Sequence, residues 1–162
     1  MTVTYDQIRD FLYKEVRLLD DRDFDAWLEL YSPDVVVWMP SWDDDGTLVS
    51  DPQREVSLMY YPRRDGLEDR VFRINTEKST ASAPPPRTSH NISNIEILRQ
   101  DDSTADVRFN WVTYSYRYQK TDQYFGTSYY KLEKSSDGVR IKDKTVILKN
   151  DCIRQVLDIY HV

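Results

Sequence analysis

TADVRFNWVTYSYRYQKTDQYFGTSYYKLEKSSDGVRIKDKTVIL, residues 104–148, is the stretch that decides the fold. It contains three runs rich in β-branched and aromatic residues, Thr104 to Tyr118, Tyr124 to Glu133 and Val139 to Leu148, which read as long strands. Ser135-Ser136-Asp137-Gly138 is a hairpin turn, and connections this short make the strands antiparallel neighbours. One strand precedes them, Ser89 to Leu98, closed by Gln100-Asp101-Asp102-Ser103. Between Thr104 and Tyr118 the pleat places Phe109, Trp111, Thr113 and Ser115 on one side and Val112, Tyr114, Tyr116 and Tyr118 on the other. Both sides carry aromatic surface, whereas a sheet with one wet face alternates apolar with plainly polar residues. Two readings stand: tyrosines that tolerate water through their hydroxyls, or a second covered face and hence an oligomer.

The first half reads as helical. Thr4 and Gln7 have capping-box spacing, and Ile8, Phe11, Leu12, Val16 and Leu19 recur at helical intervals. Asp23 caps a second helix whose Phe24, Trp27, Leu28 and Tyr31 share a face before Pro33 stops it. Val35 to Met39 is a short strand, and Asp51 followed by Pro52 starts a third helix that runs toward Tyr61. Leu67, Val71 and Ile74 predict another helix over Leu67 to Thr76, followed by a loop at Ala81 to Pro86 stiffened by three prolines. Helices first and a meander afterward make an α+β domain, one unit over residues 1–162, in which a curved, mostly antiparallel sheet wraps the helices.

Composition narrows the function. The 162 residues are 40% hydrophobic with only 4 Gly and 7 Pro, a globular composition. A net charge of -6 argues against nucleic acid as a partner, since phosphate binding needs a basic surface. No apolar run approaches the roughly 20 residues of a membrane-spanning helix, and the early Asp6 and Asp10 predict a mature cytoplasmic start. The single cysteine, Cys152, fits a reducing compartment and a packed rather than catalytic role.

With one Cys and two separated histidines, His90 and His161, neither a two-Cys, two-His iron–sulfur centre nor a two-His, one-carboxylate iron site can be written, nor a paired-Cys zinc site. Glycines only at 46, 66, 126 and 138 exclude phosphate-binding loops and dinucleotide fingerprints. The surviving chemistry is acid and base work in a pocket, with His90 beside a carboxylate such as Asp20 or a tyrosine such as Tyr13; the competing reading makes His90 a hydrogen-bonded structural residue. Arg63, Arg64, Arg70 and Arg73, mixed with Asp65, Glu68, Asp69 and Glu77, form either a helix face laced by internal pairs or an interface patch that grips carboxylates.

Several stretches carry a resemblance to a known family: LEDRVFRINTEKS (67–79), RTSHNISNIEIL (87–98), FNWVTYSYRYQKTDQYFGTSYY (109–130), VILKNDCIRQVLDIYHV (146–162), and less specifically WMPSWDDD (38–45) and DPQREVSL (51–58). Together they resemble the small, or β, subunit of aromatic-ring-hydroxylating dioxygenases of the benzoate and toluate type. That resemblance implies the conical α+β fold shared with nuclear transport factor 2 and ketosteroid isomerase (NTF2-like), and a non-catalytic assembly role in an α3β3 complex. It implies that the Rieske [2Fe-2S] cluster, the mononuclear Fe(II) and the substrate pocket belong to the large subunit, fed with NADH-derived electrons by a reductase, and that the complex cis-dihydroxylates an aromatic carboxylate with O2. No catalytic, cofactor or metal residue is thereby assigned to this chain. Charge and pleat put Arg70 and Arg73 toward the large subunit and Trp111, Tyr114 and Tyr116 toward neighbouring small subunits. The alternatives are a stand-alone cone-fold isomerase or dehydratase using His90 with a carboxylate, and a non-catalytic ligand-binding or dimerisation module.

Overall fold

The computed structural model describes residues 2–76 and 84–162. Helix α1, Tyr5–Asp20, opens on the capping box: the Gln7 amide donates to Thr4 Oγ1 at 3.2 Å and the Thr4 amide to Gln7 Oε1 at 2.8 Å. Its stripe behaves as the spacing predicts, with Ile8, Leu12 and Leu19 buried and Phe11 and Val16 half-buried. Helix α2, Phe24–Leu28, is capped by Asp23 but stops before Tyr31. Tyr31 instead opens strand β1, Tyr31–Pro40, because its backbone pairs in parallel with Ile141. Pro33 lies where the β1 register against that partner shifts, a place where a missing N–H costs the ladder nothing.

The helix expected from Asp51 does not form. Asp51 makes only one turn, accepting from the Gln53 amide through its side chain and from the Glu55 amide through its carbonyl. The Glu55 carboxylate then folds back onto the amides of Ser50 and Asp51, both at 2.7 Å, and takes the donors a longer helix would leave open. Residues Ser57–Tyr61 become β2, antiparallel to β1 with Trp38 opposite Tyr60. An available strand edge outweighs a good helix start. Helix α3 spans Arg64–Asn75, with Leu67, Val71 and Ile74 facing inward as spaced. The predicted loop at 81–86 falls partly outside the described residues; Pro84 to Pro86 lead directly into the next strand.

Strands β3 (Arg87–Gln100), β4 (Thr104–Arg117), β5 (Lys120–Ser135) and β6 (Gly138–Leu148) form the meander; β3, β5 and β6 run longer than the sequence alone indicates, and β4 stops one residue short of Tyr118. The sheet order is β2-β1-β6-β5-β4-β3, all antiparallel except β1 with β6. Register shifts in β3, where Asn94 adopts φ 54°, and between Lys131 and Leu132 bend the sheet around α1. The pleat is resolved: Val107, Phe109, Trp111, Thr113 and Ser115 are buried against the helices, while Tyr114 and Tyr116 are exposed on the outer face. Gly126, opposite Trp111, is required here because a Cβ would overlap the Ile147 carbonyl and crowd the indole. The chain ends in a 3-10 turn, Ile159–His161, whose side chains are buried in the same core as the helices.

Candidate functional site

The interior of the cone is filled by the protein's own groups. Glu15, on the buried face of α1, is fully buried and receives Trp27 Nε1 at 3.1 Å, Tyr31 Oη at 2.6 Å, Lys144 Nζ at 3.1 Å and Tyr130 Oη at 3.4 Å. Burial raises the Glu15 carboxyl, but the Lys144 ammonium and these hydrogen bonds outweigh it and leave it below its usual value. Burial, reinforced by the Glu15 charge, drives the hydroxyls of Tyr31 and Tyr130 well above the usual tyrosine value, so both remain donors. This is a closed ion-pair network with its lone pairs satisfied, which stiffens the core and gives no open acid or base. Sequence periodicity missed Glu15 and Lys144, since a charged residue on an apolar stripe signals nothing until its partner is known.

The C-terminal segment completes the filling. Ile159, Tyr160, His161 and Val162 are buried; the His161 ring lies 5.0 Å from that of Tyr124, and the Tyr160 ring packs 6.3 Å from Phe24. Asp158 holds this segment: its side chain caps the Ile159 amide at 2.8 Å and forms a bidentate pair with Arg70 of α3. The Asp158 amide donates to His161 Nδ1 at 2.9 Å, and burial lowers the His161 imidazole to about 4.

His90 and Asp20, expected as partners, do meet. Asp20, at the end of α1, reaches the edge strand β3, where its Oδ1 lies 2.5 Å from His90 Nδ1 and accepts from Thr88 Oγ1 at 2.9 Å, while Oδ2 accepts the His90 amide at 3.0 Å. Burial raises the Asp20 carboxyl, but the bonds from His90 outweigh it and the net effect is a lowered value. The His90 side chain is only 2% exposed, so the imidazole is withheld from a substrate outside the cone, while Asp20 keeps 24% of its side chain exposed. Tyr13 is exposed and lines a shallow outer groove shared with Val16, Asp20 and His90.

The residues proposed for contacts separate into two groups. Tyr114 (43% exposed) and Tyr116 (44%) lie on the outer face with Tyr118, Phe125 and Tyr129. Trp111 does not share that face: it is 6% exposed and points into the cone, the opposite side of the β4 pleat. Arg64 pairs with Glu68 one turn along the same helix, the one pair of this run that fits a face laced by intrahelical pairs, and also with Glu29, whereas Arg70 reaches out of the helix to Asp158. Arg73 is exposed on α3 beside Phe72. Among the described residues no cluster of three or more His, Cys, Asp or Glu is placed to hold a metal ion. Cys152 is exposed rather than packed, and one cysteine with two histidines held in separate hydrogen-bond networks supplies neither the two-Cys, two-His set of an iron–sulfur cluster nor a two-His, one-carboxylate iron site.

Comparison with known proteins agrees with this arrangement. The family model described as ring hydroxylating beta subunit matches residues 14–155. The chain is 53% identical over 162 residues to the toluate 1,2-dioxygenase subunit beta of Pseudomonas putida, covering 100% of both. It is 56% identical over 159 residues to the 2-halobenzoate 1,2-dioxygenase small subunit of Burkholderia cepacia, covering 98% of this chain and 96% of that one. The crystal structure of the beta subunit of the benzoate 1,2-dioxygenase from Burkholderia mallei superposes with a TM-score of 0.85 at 51% identity, covering 100% of this chain and 99% of that one. The fold is therefore the conical α+β fold of the NTF2-like type.

Proposed function

Because the chain belongs to the ring-hydroxylating dioxygenase β-subunit family, we propose that it is the non-catalytic small subunit of a benzoate- or toluate-type ring dioxygenase and acts by organising the assembly. The observation that carries the assembly role is the division of the sheet: the inner face is sealed by helices, a closed ion-pair network and the C-terminal segment, while the outer face presents Tyr114, Tyr116, Phe125 and Tyr129 to solvent. A sheet whose inner face is covered by its own chain and whose outer face is aromatic is built to be covered by other chains. In this reading residues 1–162 act as one unit in an α3β3 complex with a larger subunit. That larger subunit holds the Rieske cluster, the mononuclear iron and the aromatic carboxylate, and takes NADH-derived electrons from a reductase. Tyr114 and Tyr116 face sibling small subunits, and Arg73 with Phe72 faces the large one.

The test is co-expression with the large subunit encoded beside it. Size-exclusion chromatography with iron and sulfide analysis should show one complex that carries both and consumes benzoate or a methylbenzoate. The paired variant Tyr114→Glu/Tyr116→Glu should retain the circular dichroism of the parent and lose the complex. A parent chain that stays monomeric with the large subunit present would overturn the proposal.

A further inference from the structure

Three polar atoms inside the cone are buried and lack a hydrogen-bonding partner: His90 Nε2, Trp111 Nε1 and Thr113 Oγ1. They belong to one neighbourhood. His90 is directly opposite Thr113 in the β3–β4 ladder, and Trp111, opposite Ile92, lies one inward-facing position further along β4. Cross-strand neighbours on one face have Cβ atoms about 5 Å apart, and the diagonal pair about 7 Å, within reach of an indole ring. All three are inner-face residues: Thr113 is 0% exposed, Trp111 6% and the His90 side chain 2%. Buried polar atoms are nearly always paired, so three unmet ones in one neighbourhood are not incidental to packing.

Their chemistry is complementary. Asp20 lies 2.5 Å from His90 Nδ1, and a carboxylate there selects the tautomer with its ring proton on Nδ1, in which Nε2 carries the lone pair. Trp111 Nε1 can only donate, and the Thr113 hydroxyl can do either. The geometry points to a hydroxyl-binding site between β3 and β4, in which one O–H group accepts from Trp111 Nε1, donates to His90 Nε2 and is touched by Thr113 Oγ1. An anion would meet the His90 lone pair unfavourably, and an ammonium would meet the Trp111 N–H. The guest is a neutral hydroxyl: a long-lived water, or the O–H of a small alcohol or phenol. Asp20 is then a positioning residue that sets the tautomer, and the site stands independently of the assembly role.

The test uses the full-length 15N-labelled chain with phenol as probe. The Trp111 indole N–H is the resonance lost in Trp111→Phe; should that variant not fold, contacts to Thr113 assign it in the parent. Long-range nitrogen–proton spectra of His90 should show Nδ1 protonated and Nε2 bare. Beyond that, the Trp111 N–H should either exchange magnetisation with a long-lived water, which identifies the guest as water, or shift saturably with phenol, which identifies an organic hydroxyl. In the phenol case Thr113→Val should raise the apparent Kd about fivefold, the loss of one hydrogen bond. A proton on Nε2, or phenol shifts confined to Trp27, Trp38 and Trp42, or the absence of both water transfer and phenol response at Trp111, would each overturn the assignment.

Discussion

Glu15 and Lys144 stand 129 positions apart in the chain and 3.1 Å apart in the core, both almost wholly buried. Removing one partner of such a pair strands a charge, a loss of about 3–5 kcal/mol, whereas removing both charges is far cheaper. Lys144→Met should therefore lower the urea midpoint by that order. Glu15→Gln in the same background should recover most of it, because the amide oxygen still accepts from Trp27 and Tyr31. A double variant no more stable than Lys144→Met would reject this account. His161 makes a pH prediction. Burial lowers its pKa from 6.5 to about 4, so between those values the unfolded chain binds a proton that the folded chain refuses. Stability is then full above pH 6.5 and falls as pH drops toward 4, by about 3 kcal/mol at most. Asp20, whose carboxyl is held below its usual 3.8, adds a further loss of the same sign at still lower pH. Denaturant titrations across this range should show the slope, and His161→Phe should flatten it between pH 6.5 and 4.

At the level of elements, the β4–β5 connection is a two-residue hairpin turn, with Arg117 paired to Lys120 and both central residues left-handed, Tyr118 at φ 52° and Gln119 at φ 62°. Such turns favour Asn-Gly, and residues with a Cβ cost about 1–2 kcal/mol each in that conformation. Tyr118→Asn with Gln119→Gly should raise the melting temperature of the isolated chain by several degrees; an unchanged or lower value would show that the parent turn carries no strain. The same element-scale competition explains the helix that fails at Asp51. Its local signals are sound, but Glu55 captures the free amides and the exposed edge of β1 captures Ser57–Tyr61. Where a helix has its own apolar stripe, as in α1 and α3, local signals and tertiary packing agree and the reading of the sequence holds.

At the scale of the whole molecule, the Arg70–Asp158 pair ties α3 to the segment that fills the cone. Arg70→Met should leave the Asp158 carboxylate buried without its cation, and hydrogen exchange at Ile159, Tyr160 and His161 should accelerate while α1 amides stay protected; unchanged exchange would mean that packing alone holds the segment. Strand order in the meander, the inward stripes of α1 and α3 and the alternation along β4 were legible from the sequence, because each depends on residues close in the chain and on the two backbone periods. The kinship with ring-hydroxylating β subunits was legible too, in continuous motifs. Which face of β4 is covered was not legible, and so Trp111 turned out to be an inner residue while Tyr114 and Tyr116 stayed outside. Nor were the parallel union of β1 with β6, the engagement of Arg70 by Asp158, or the meeting of Glu15 with Lys144. Those depend on contacts between segments tens to more than a hundred residues apart, where pairing is chosen by the collective packing of the cone and no local pattern encodes the partner.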